Sequence, residues 1–588
     1  MATFAVWAPG RQRVELLLYP SERIPMEPAE RGWWHTEVPK AGAGTRYMFS
    51  LDVGPGRPDP RSPWQPDGMN GPSALVDHRA FAWSDEGWAG FDLSTAVLYE
   101  MHVGTFSKDG TFEGAIERLG HLVDLGVTAV EVMPVAEGSG ARGWGYDGAD
   151  LWAPHGAYGG PPGFKRFVDA CHSRGLGVVL DVVYNHLGPA GNYLNEFGPY
   201  FTDQYRTPWG WAVNLDGEGS YGARDFIIAN ALMWFSDYHV DGLRLDAVHA
   251  IFDEGALHIL EELSLVVERL AHRLRKDLWL IAESDRNDPR ICRPRDEHGY
   301  GVNACWNDDF HHALHSVLTG EDQGYYLDFG RVSQLAKAFR DGYVFDGQFS
   351  EFRQRRHGRP AGDLPGESFV CCLQNHDQVG NRAFGERISA LVGPGLSKVG
   401  AALLLLSPFV PLLFQGEEWG ASTPFLYFTD HQDPELGRAV REGRRREFPV
   451  HEGSEVPDPQ DPATFYRSKL DWSELAREPH RDLLDWYRQL VALRGKEPDL
   501  GTGDRQQVVT AFDEEARWLV VRRGRFSIAA NFAGEQQSLP LDGPGSLALA
   551  SAAGTALLPA ASEAGARRTG GARVEVRLPG HSVAVVEH

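Results

Sequence analysis

Three kinds of hydrophobic pattern follow one another along the chain. Up to about residue 90 the apolar runs are brief and separated by Pro/Gly turns: Phe4 to Trp7, Val14 to Tyr19, Trp33 to Val38 and Tyr47 to Leu51. Short runs at this spacing predict the strands of a small β-sandwich over residues 1–90, of the immunoglobulin-like kind. A Pro/Gly/Asp-rich stretch, Gly54 to Pro72, interrupts it. From about residue 91 strand-like and helix-like runs alternate. Val97 to Val103 and Val127 to Met133 flank a helix that starts near Phe112, and Val178 to Tyr184 is almost continuously apolar, as in a strand buried on both faces. Ile228, Ala231, Leu232 and Phe235 fall at i, i+3, i+4 and i+7 and predict a helix. Gly242 to Val248, Leu278 to Ala282, Phe369 to Leu373 and Val410 to Phe414 continue the strands. Repeated βα units predict a parallel sheet, and over residues 91–495 a closed (β/α)8 TIM barrel with a short excursion at about 187–225. After about residue 496 the β pattern returns in Gln507 to Phe512, Trp518 to Val521, Phe526 to Asn531 and Val574 to Leu578. An Ala/Gly-rich segment, 545–571, reads as loops and weak strands within a second terminal β-sandwich over 496–588. The predicted fold is therefore α/β: a central barrel flanked by two β-sandwiches.

Bulk composition narrows the function classes. A chain of 588 residues with 42% hydrophobic and 23% charged residues is long enough for several globular domains. The formal net charge of −24 argues against nucleic acid and anionic membrane as partners, and leaves a neutral substrate open. The five cysteines are odd in number, form no CxxC pair and include the adjacent Cys371 and Cys372, a pattern of buried free thiols in a cytoplasmic protein. The first residues show no basic segment followed by an apolar one, so no secretion signal is predicted. Val399 to Phe414 is broken by Ser407, Pro408 and Pro411 and reads as a buried helix followed by a strand. Nothing in composition fixes an oligomeric state.

Barrel enzymes carry their reactive groups at the carboxyl ends of the strands. Four strand-end segments are rich in polar groups: Asp181 to His186, Asp241 to Asp246, Leu280 to Asp285 and Gln374 to Asp377. In a strand, alternate side chains share a face, so Arg244 and Asp246 project together, opposite Leu243 and Leu245. A charged pair among buried leucines either satisfies itself as an ion pair or acts, and the guanidinium would keep the carboxylate ionised. Glu283 ends a neighbouring run. Glycoside hydrolysis needs one ionised and one protonated carboxyl across the scissile bond, about 5–5.5 Å apart in a retaining enzyme. Asp246 and Glu283 fit those two roles, and His186, His376 and Asp377 could bind sugar hydroxyls.

Taken in order, the four segments resemble the signature regions of the α-amylase family of glycoside hydrolases, over about residues 97–420. The resemblance implies that Asp246 is the nucleophile, Glu283 the general acid/base, and Asp377 the third carboxylate, binding the sugar in subsite −1. It assigns His186, Arg244 and His376 to further −1 contacts, and Tyr146, in Gly143 to Asp147, to stacking on the −1 ring. Two departures stand out. The excursion after the third strand is short; Asn185 matches one calcium position of the family, but the remaining ligands are not identifiable, and no metal or cofactor is predicted. The Lys-His pair that follows the nucleophile in many amylases is replaced by His249 and Ala250, away from simple starch recognition on the plus side.

Tyr99 to Phe106, joined to an N-terminal sandwich, resembles both the glycogen branching enzymes and the branch of the family that acts on maltooligosyltrehalose. Cys305 to Leu314, Gln374 to Arg382, Phe414 to Phe425 and Gly443 to Phe448 resemble the second. That branch implies hydrolysis of the α-1,4 bond next to a terminal trehalose, with maltooligosyltrehalose and α-1,4-glucans as substrates. A branching enzyme would transfer the glycan to a 6-hydroxyl instead, and a glucan-binding non-enzyme would lack one of the three carboxylates. The candidate plus-side contacts are His249, Asp308 and Asp309 after the sixth strand, Trp209 and Trp211 in the excursion, and Phe352 and Arg353 before the seventh strand. The Trp33-Trp34 pair could form a sugar platform, but is expected in a core packed towards the barrel.

Overall fold

Eight short parallel strands close into a barrel: β1 (Leu98–Met101), β2 (Ala129–Val132), β3 (Gly177–Val182), β4 (Gly242–Leu245), β5 (Trp279–Ala282), β6 (Ala304–Trp306), β7 (Phe369–Cys372) and β8 (Val410–Phe414), with β8 pairing back to β1. The structure is a computed structural model that describes residues 2–448, 455–559 and 574–588. Register decides where the chemistry emerges. Leu245 pairs with Ala282 across β4 and β5. The next residues, Asp246 and Glu283, therefore leave the sheet side by side at the same rim, with Glu283 N–H bonded to the Leu245 carbonyl at 2.9 Å. The run expected from Val97 to Val103 is strand only to Met101; Val103–Phe106 turns into one helical turn. Three-residue β6 is too short to leave a pattern of its own.

The helix expected around Ile228 spans Ser220–Asp237, but its buried stripe is wider than one face: Phe226, Ile227, Ala231, Trp234 and Phe235 are all buried. Ile228 and Leu232 of the expected face are only partly buried, while Phe226 packs on Trp152 and Tyr200 and Trp234 packs on Phe164. The first turn of the helix also meets the N-terminal region. Trp7, 1% exposed, lies against Gly222, where a Cβ would come within 2.3 Å of the indole. Its Nε1 donates to Arg31 O at 3.0 Å and to Tyr221 Oη at 2.9 Å. The N-terminal strands form a three-stranded and a five-stranded sheet. Trp34 is buried with its Nε1 on the Ala8 carbonyl, while Trp33 is half-buried with the Arg61 guanidinium 4.9 Å from its ring. The two rings thus form no shared platform.

The C-terminal strands also form two sheets, of five and three strands. Ser546–Ala550 and Ala556–Pro559 are strands within the Ala/Gly-rich segment, whose remainder lies largely outside the described residues. Two buried arginines tie this region to the barrel. Arg494, on helix His480–Lys496, donates to the carbonyls of Leu405, Ser407 and Phe409. Arg523, on strand Trp518–Arg523, donates to those of Leu406, Ser407 and Leu500. All of these carbonyls except that of Leu500 belong to the end of helix Ile388–Leu405 and the turn into β8, so the apolar run does read as helix then strand. That helix is long and apolar enough to cross a membrane, but most of it is buried inside the protein and it kinks at Gly393 before Pro394. All five cysteines are free.

Candidate active site

At the centre of the barrel mouth is Arg244, wholly buried. Its Nη1 lies 2.7 Å from Asp181 Oδ2 and 3.0 Å from Asp246 Oδ1, and its Nη2 lies 2.8 Å from Glu283 Oε2. The guanidinium also sits 4.1 Å from the Trp306 ring centre. A buried cation is tolerable only with compensating charge, and here carboxyls from three adjacent strand ends supply it. Asp246 is held from its other side by Asn185, whose amide donates to Asp246 Oδ2 at 2.6 Å and to the Asp246 carbonyl at 2.7 Å. Immediately after Asp246 the chain turns through Ala247 at φ 38°, a left-handed conformation uncommon for a non-glycine residue. The turn aims Ala247 N–H at Glu283 Oε2, 2.7 Å away. Burial pushes the Glu283 carboxyl up, Arg244 opposes that, and the neighbouring Asp246 charge adds to it. The net rise favours the protonated form, as a general acid requires.

His376 and Asp377 come from the end of β7. His376 donates its backbone N–H to Glu100 Oε2 at 2.9 Å and its ring Nδ1–H to Glu100 Oε1. Burial pulls the His376 imidazole down, but Glu100 and Asp377 outweigh it and raise it to about 9. Its Nε2 stands 3.5 Å from Asp377 Oδ1. The Asp377 carboxyl is itself pushed up by burial, against the pull of His376. Tyr146 stacks on the His376 ring, 5.0 Å between centres, and donates its hydroxyl to Asp181 Oδ2 at 2.5 Å. His186 Nε2 lies 2.9 Å from the Tyr146 carbonyl, and Trp209 stacks flat on the His186 ring at 4.2 Å. Burial holds the His186 imidazole down at about 4, so this ring is neutral. A cavity of about 510 Å³ opens over the group, lined by Asp246, Glu283, Asp377, His376, Tyr146 and His186, with Trp209 and His249 on its walls.

The plus-side candidates separate. His249 faces the cavity, and its Nδ1 is 3.8 Å from Asp285 Oδ1, whose partner oxygen accepts from Arg353 Nη1 at 2.8 Å. Arg353 thus reaches the cavity wall through Asp285, and Phe352 beside it is exposed. Asp308, first residue of helix Asp308–Thr319, is pushed up to about 8 by burial and by the carboxyls of Glu283, Asp285 and Asp377. Asp309 needs correction. It is buried, and its Oδ2 accepts from Asn287 Nδ2 at 2.8 Å, Val344 N at 2.8 Å and Phe345 N at 2.7 Å. One helical step beyond Asp308 turns it away from the cavity, and those donors make it an anchor for two loops, not a substrate contact. Trp211 is exposed on the hairpin Phe201–Thr207/Gly210–Val213, outside the cavity lining. Asn185 gives its amide N–H to Asp246, and its side-chain oxygen lies against the His186 Nδ1.

Several residues at the site carry no role in the sequence pattern: Glu100, Asp181, Asp285 and Trp306. A charged residue inside an apolar strand is the available signal for Glu100, as it is for Arg244. Asp181 and Asp285 stand within the polar segments, and Asn185, matched there to a calcium position, instead holds Asp246. Asp241, which opens one of those segments, lies at the other end of the barrel, bonded to His172 and Trp88, and is structural.

An (β/α)8 barrel with an acid pair bridged by a buried arginine, and a third carboxyl beside a histidine on the next rim, defines a glycoside hydrolase of the α-amylase type. Family models agree: residues 78–220 match the alpha amylase catalytic domain, 1–64 match carbohydrate-binding module 48 (the isoamylase N-terminal domain), and 504–585 match a domain of unknown function. The chain is 52% identical over 84% of its length to a malto-oligosyltrehalose trehalohydrolase of Arthrobacter ramosus, of which 87% is covered. It is 46% identical over 99% of its length to one of Rhizobium sp. strain M-11, of which 97% is covered. A crystal structure of a protein assigned as an alpha amylase from Salmonella typhimurium superposes with a TM-score of 0.88 at 40% identity, covering 100% of this chain and 97% of that one. The chain belongs to the malto-oligosyltrehalose trehalohydrolase family.

Proposed function

We propose that the protein hydrolyses the α-1,4 bond next to the terminal trehalose of maltooligosyltrehalose, with retention of configuration, releasing trehalose and a maltooligosaccharide. The observation that carries the chemistry is the single guanidinium of Arg244 touching both Asp246 and Glu283. One planar fork spanning both carboxyls supports the close spacing of a retaining enzyme over a gap that would admit a water between them. Asp246 attacks the anomeric carbon as the glycosidic bond breaks. Glu283 gives its proton to the departing oxygen of the trehalose end. It then takes a proton from water, which displaces Asp246 and restores both groups. Asp377 and His376 hold hydroxyls of the −1 sugar, Tyr146 and His186 border the ring, and Arg244 pairs with the nucleophile at 3.0 Å. The relatives' names support the substrate, and five free thiols support a reducing, cytoplasmic setting.

Selectivity follows from shape. Trehalose turns sharply at its α,α-1,1 link, so a plus side that hydrogen-bonds hydroxyls presented only by that kink rejects plain maltooligosaccharide through unpaired polar groups. We assign this role to His249 on the cavity wall, to Asp285 and Arg353 behind it, and to Asp308 at the start of the helix after β6. The direct experiment is to incubate the enzyme with maltopentaosyltrehalose and with maltoheptaose and chromatograph the products. Free trehalose from the first, with little cleavage of the second, is the expected result. Comparable cleavage of both would return the protein to general glucan hydrolysis, and a changed iodine stain of amylose without new reducing ends would make it a branching transferase.

The corrected role of Asp309 makes a paired prediction. Arg353→Ala should lower kcat/KM for maltooligosyltrehalose more than for plain maltooligosaccharide. Asp309→Ala should instead destabilise the fold, since each buried donor left without a partner costs about 1–3 kcal/mol, and should affect both substrates alike. Urea denaturation beside the two assays separates these outcomes; a selective kinetic loss in Asp309→Ala at unchanged stability would put Asp309 back among the substrate contacts.

A further inference from the structure

The imidazole of His376 has one N–H turned into the barrel and one ring nitrogen turned towards Asp377. If the ring were neutral with its proton on Nδ1, Nε2 would offer a lone pair to a carboxylate oxygen 3.5 Å away, which is repulsive. With Asp377 ionised, the arrangement is favourable when both nitrogens carry hydrogen, and that needs an anion behind the ring. The surroundings leave few candidates. The ring meets Tyr146 at 5.0 Å, the edge of Trp144 at 5.5 Å and Trp306 at 6.0 Å, none of which supplies charge. Arg244 from β4 opposes a second cation. His102, from the loop after β1, is pushed down to about 3 by burial and is neutral. Asp181 from β3 is already engaged by Arg244 and Tyr146. Glu131 from β2 lies within the same interior, but neither of its oxygens has a hydrogen-bond partner among the described residues and burial pushes it far up, so it is a neutral acid. Asp377 faces the cavity, where the sugar competes for it. Glu100 remains: it is buried at the end of β1 and takes both the ring Nδ1–H and the backbone N–H of His376, one on each oxygen.

We propose that Glu100 is a positioning residue of the −1 subsite: by clamping the ring and backbone N–H groups of His376 it holds the ring as an imidazolium whose Nε2–H points at Asp377 and at the sugar hydroxyl bound there. The pair joins strands one and seven on the side of the barrel opposite the Arg244 cluster. It gives the subsite a hydrogen donor that does not switch off at neutral pH, while the neutral Glu131 beside it leaves the charge of the pair balanced. The proposal rests on the assignment of His376 and Asp377 to sugar binding.

Glu100→Gln keeps the shape and one acceptor but removes the charge. In wild type the imidazolium persists until the pH rises through about 9. In the variant it is lost as the pH rises through the ordinary imidazole value of about 6.5, or lower, so at pH 8 only about one ring in 30 stays charged. The expected kinetic result is a kcat/KM close to wild type near pH 5.5 that falls to about 30-fold below it at pH 8. Nitrogen-15 NMR of the histidine rings, with His376→Gln to assign the signal, should show the shifted titration directly. The double variant Glu100→Gln/His376→Gln should be no less active than His376→Gln alone. A loss that is equal at every pH, an unmoved His376 titration, or a double variant clearly worse than His376→Gln would each overturn the proposal. The NMR measurement needs no substrate, so failure of the wild-type enzyme on trehalose-ended glucans would overturn the proposed function and leave this test standing.

Discussion

Asp246→Asn should reduce turnover on maltooligosyltrehalose by on the order of 10⁵-fold or more, the scale seen when a hydrolase loses its nucleophile, while the protein stays folded. The amide oxygen still accepts from the Arg244 fork, while its NH2 faces the Asn185 amide, which keeps its second bond to the main-chain carbonyl of residue 246. Glu283→Gln should lose less, about 10²–10⁴-fold, because it removes proton transfer and leaves the nucleophile. The two are told apart with a glycosyl donor whose leaving group needs no protonation. On such a donor Glu283→Gln should regain the first step and accumulate the glycosyl-enzyme, whereas Asp246→Asn should stay inactive. Recovery of Asp246→Asn in place of Glu283→Gln would show that nucleophile and acid have been exchanged, and equal recovery of both would overturn the assignment of the two roles. The pH profile carries the same assignment. Because burial and the Asp246 charge raise the Glu283 carboxyl, activity should extend above the ordinary carboxylate range and fall as the pH rises through the raised value.

Arg244→Met should be the most damaging substitution for stability at the site. It leaves Asp181, Asp246 and Glu283 facing one another in the barrel mouth without a counter-charge, and removing one member of a buried charge group costs about 3–5 kcal/mol. The loss has a definite pH sign. Asp181 already stands near 7, raised by burial and held back by Arg244, and without the arginine it rises further. A carboxyl whose folded-state value lies above the unfolded one stabilises the protein below the unfolded value, and that contribution is lost as the pH climbs towards the folded value. The deficit of Arg244→Met against wild type should therefore be larger at pH 8 than at pH 5. Chemical denaturation at both pH values measures it; a deficit below 1 kcal/mol, or one independent of pH, would mean that the carboxyls do not depend on the arginine.

What the sequence made legible follows strand periodicity. Arg244 and Asp246 could be placed on one face because alternation in a strand is strict, and Glu283 could be joined to them because barrel strands end at one rim. Register then does the rest: the pairing of Leu245 with Ala282 is invisible in the sequence but puts the two acids side by side. Glu100 was overlooked although it obeys the same logic, a charge in an apolar strand, because its partner lies 276 residues away in the chain. Asp308 and Asp309 could not be distinguished by pattern. They are adjacent, equally acidic and at the start of a helix, and only the helical rotation of one step separates a group within the field of Glu283, Asp285 and Asp377 from one serving Val344 and Phe345. The Trp209 and Trp211 pair divides similarly, since the hairpin turn brings Trp209 over His186 and leaves Trp211 outside the cavity lining.

The buried arginine of the C-terminal sheet bears on how the molecule melts. Arg523 belongs to that sheet, yet the carbonyls it satisfies belong to the barrel's last helical connection and to Leu500. Pulling the sheet away would strip several main-chain acceptors of their donors at once, each at about 1–3 kcal/mol, a sum comparable with the 5–15 kcal/mol by which a whole domain is stable. The sheet and the barrel should therefore unfold together although they look like two domains. Calorimetry should give a single transition spanning both, and a chain cut at residue 495 would be a fragment of a folding unit, with open carbonyls where the arginine stood, in place of a smaller enzyme.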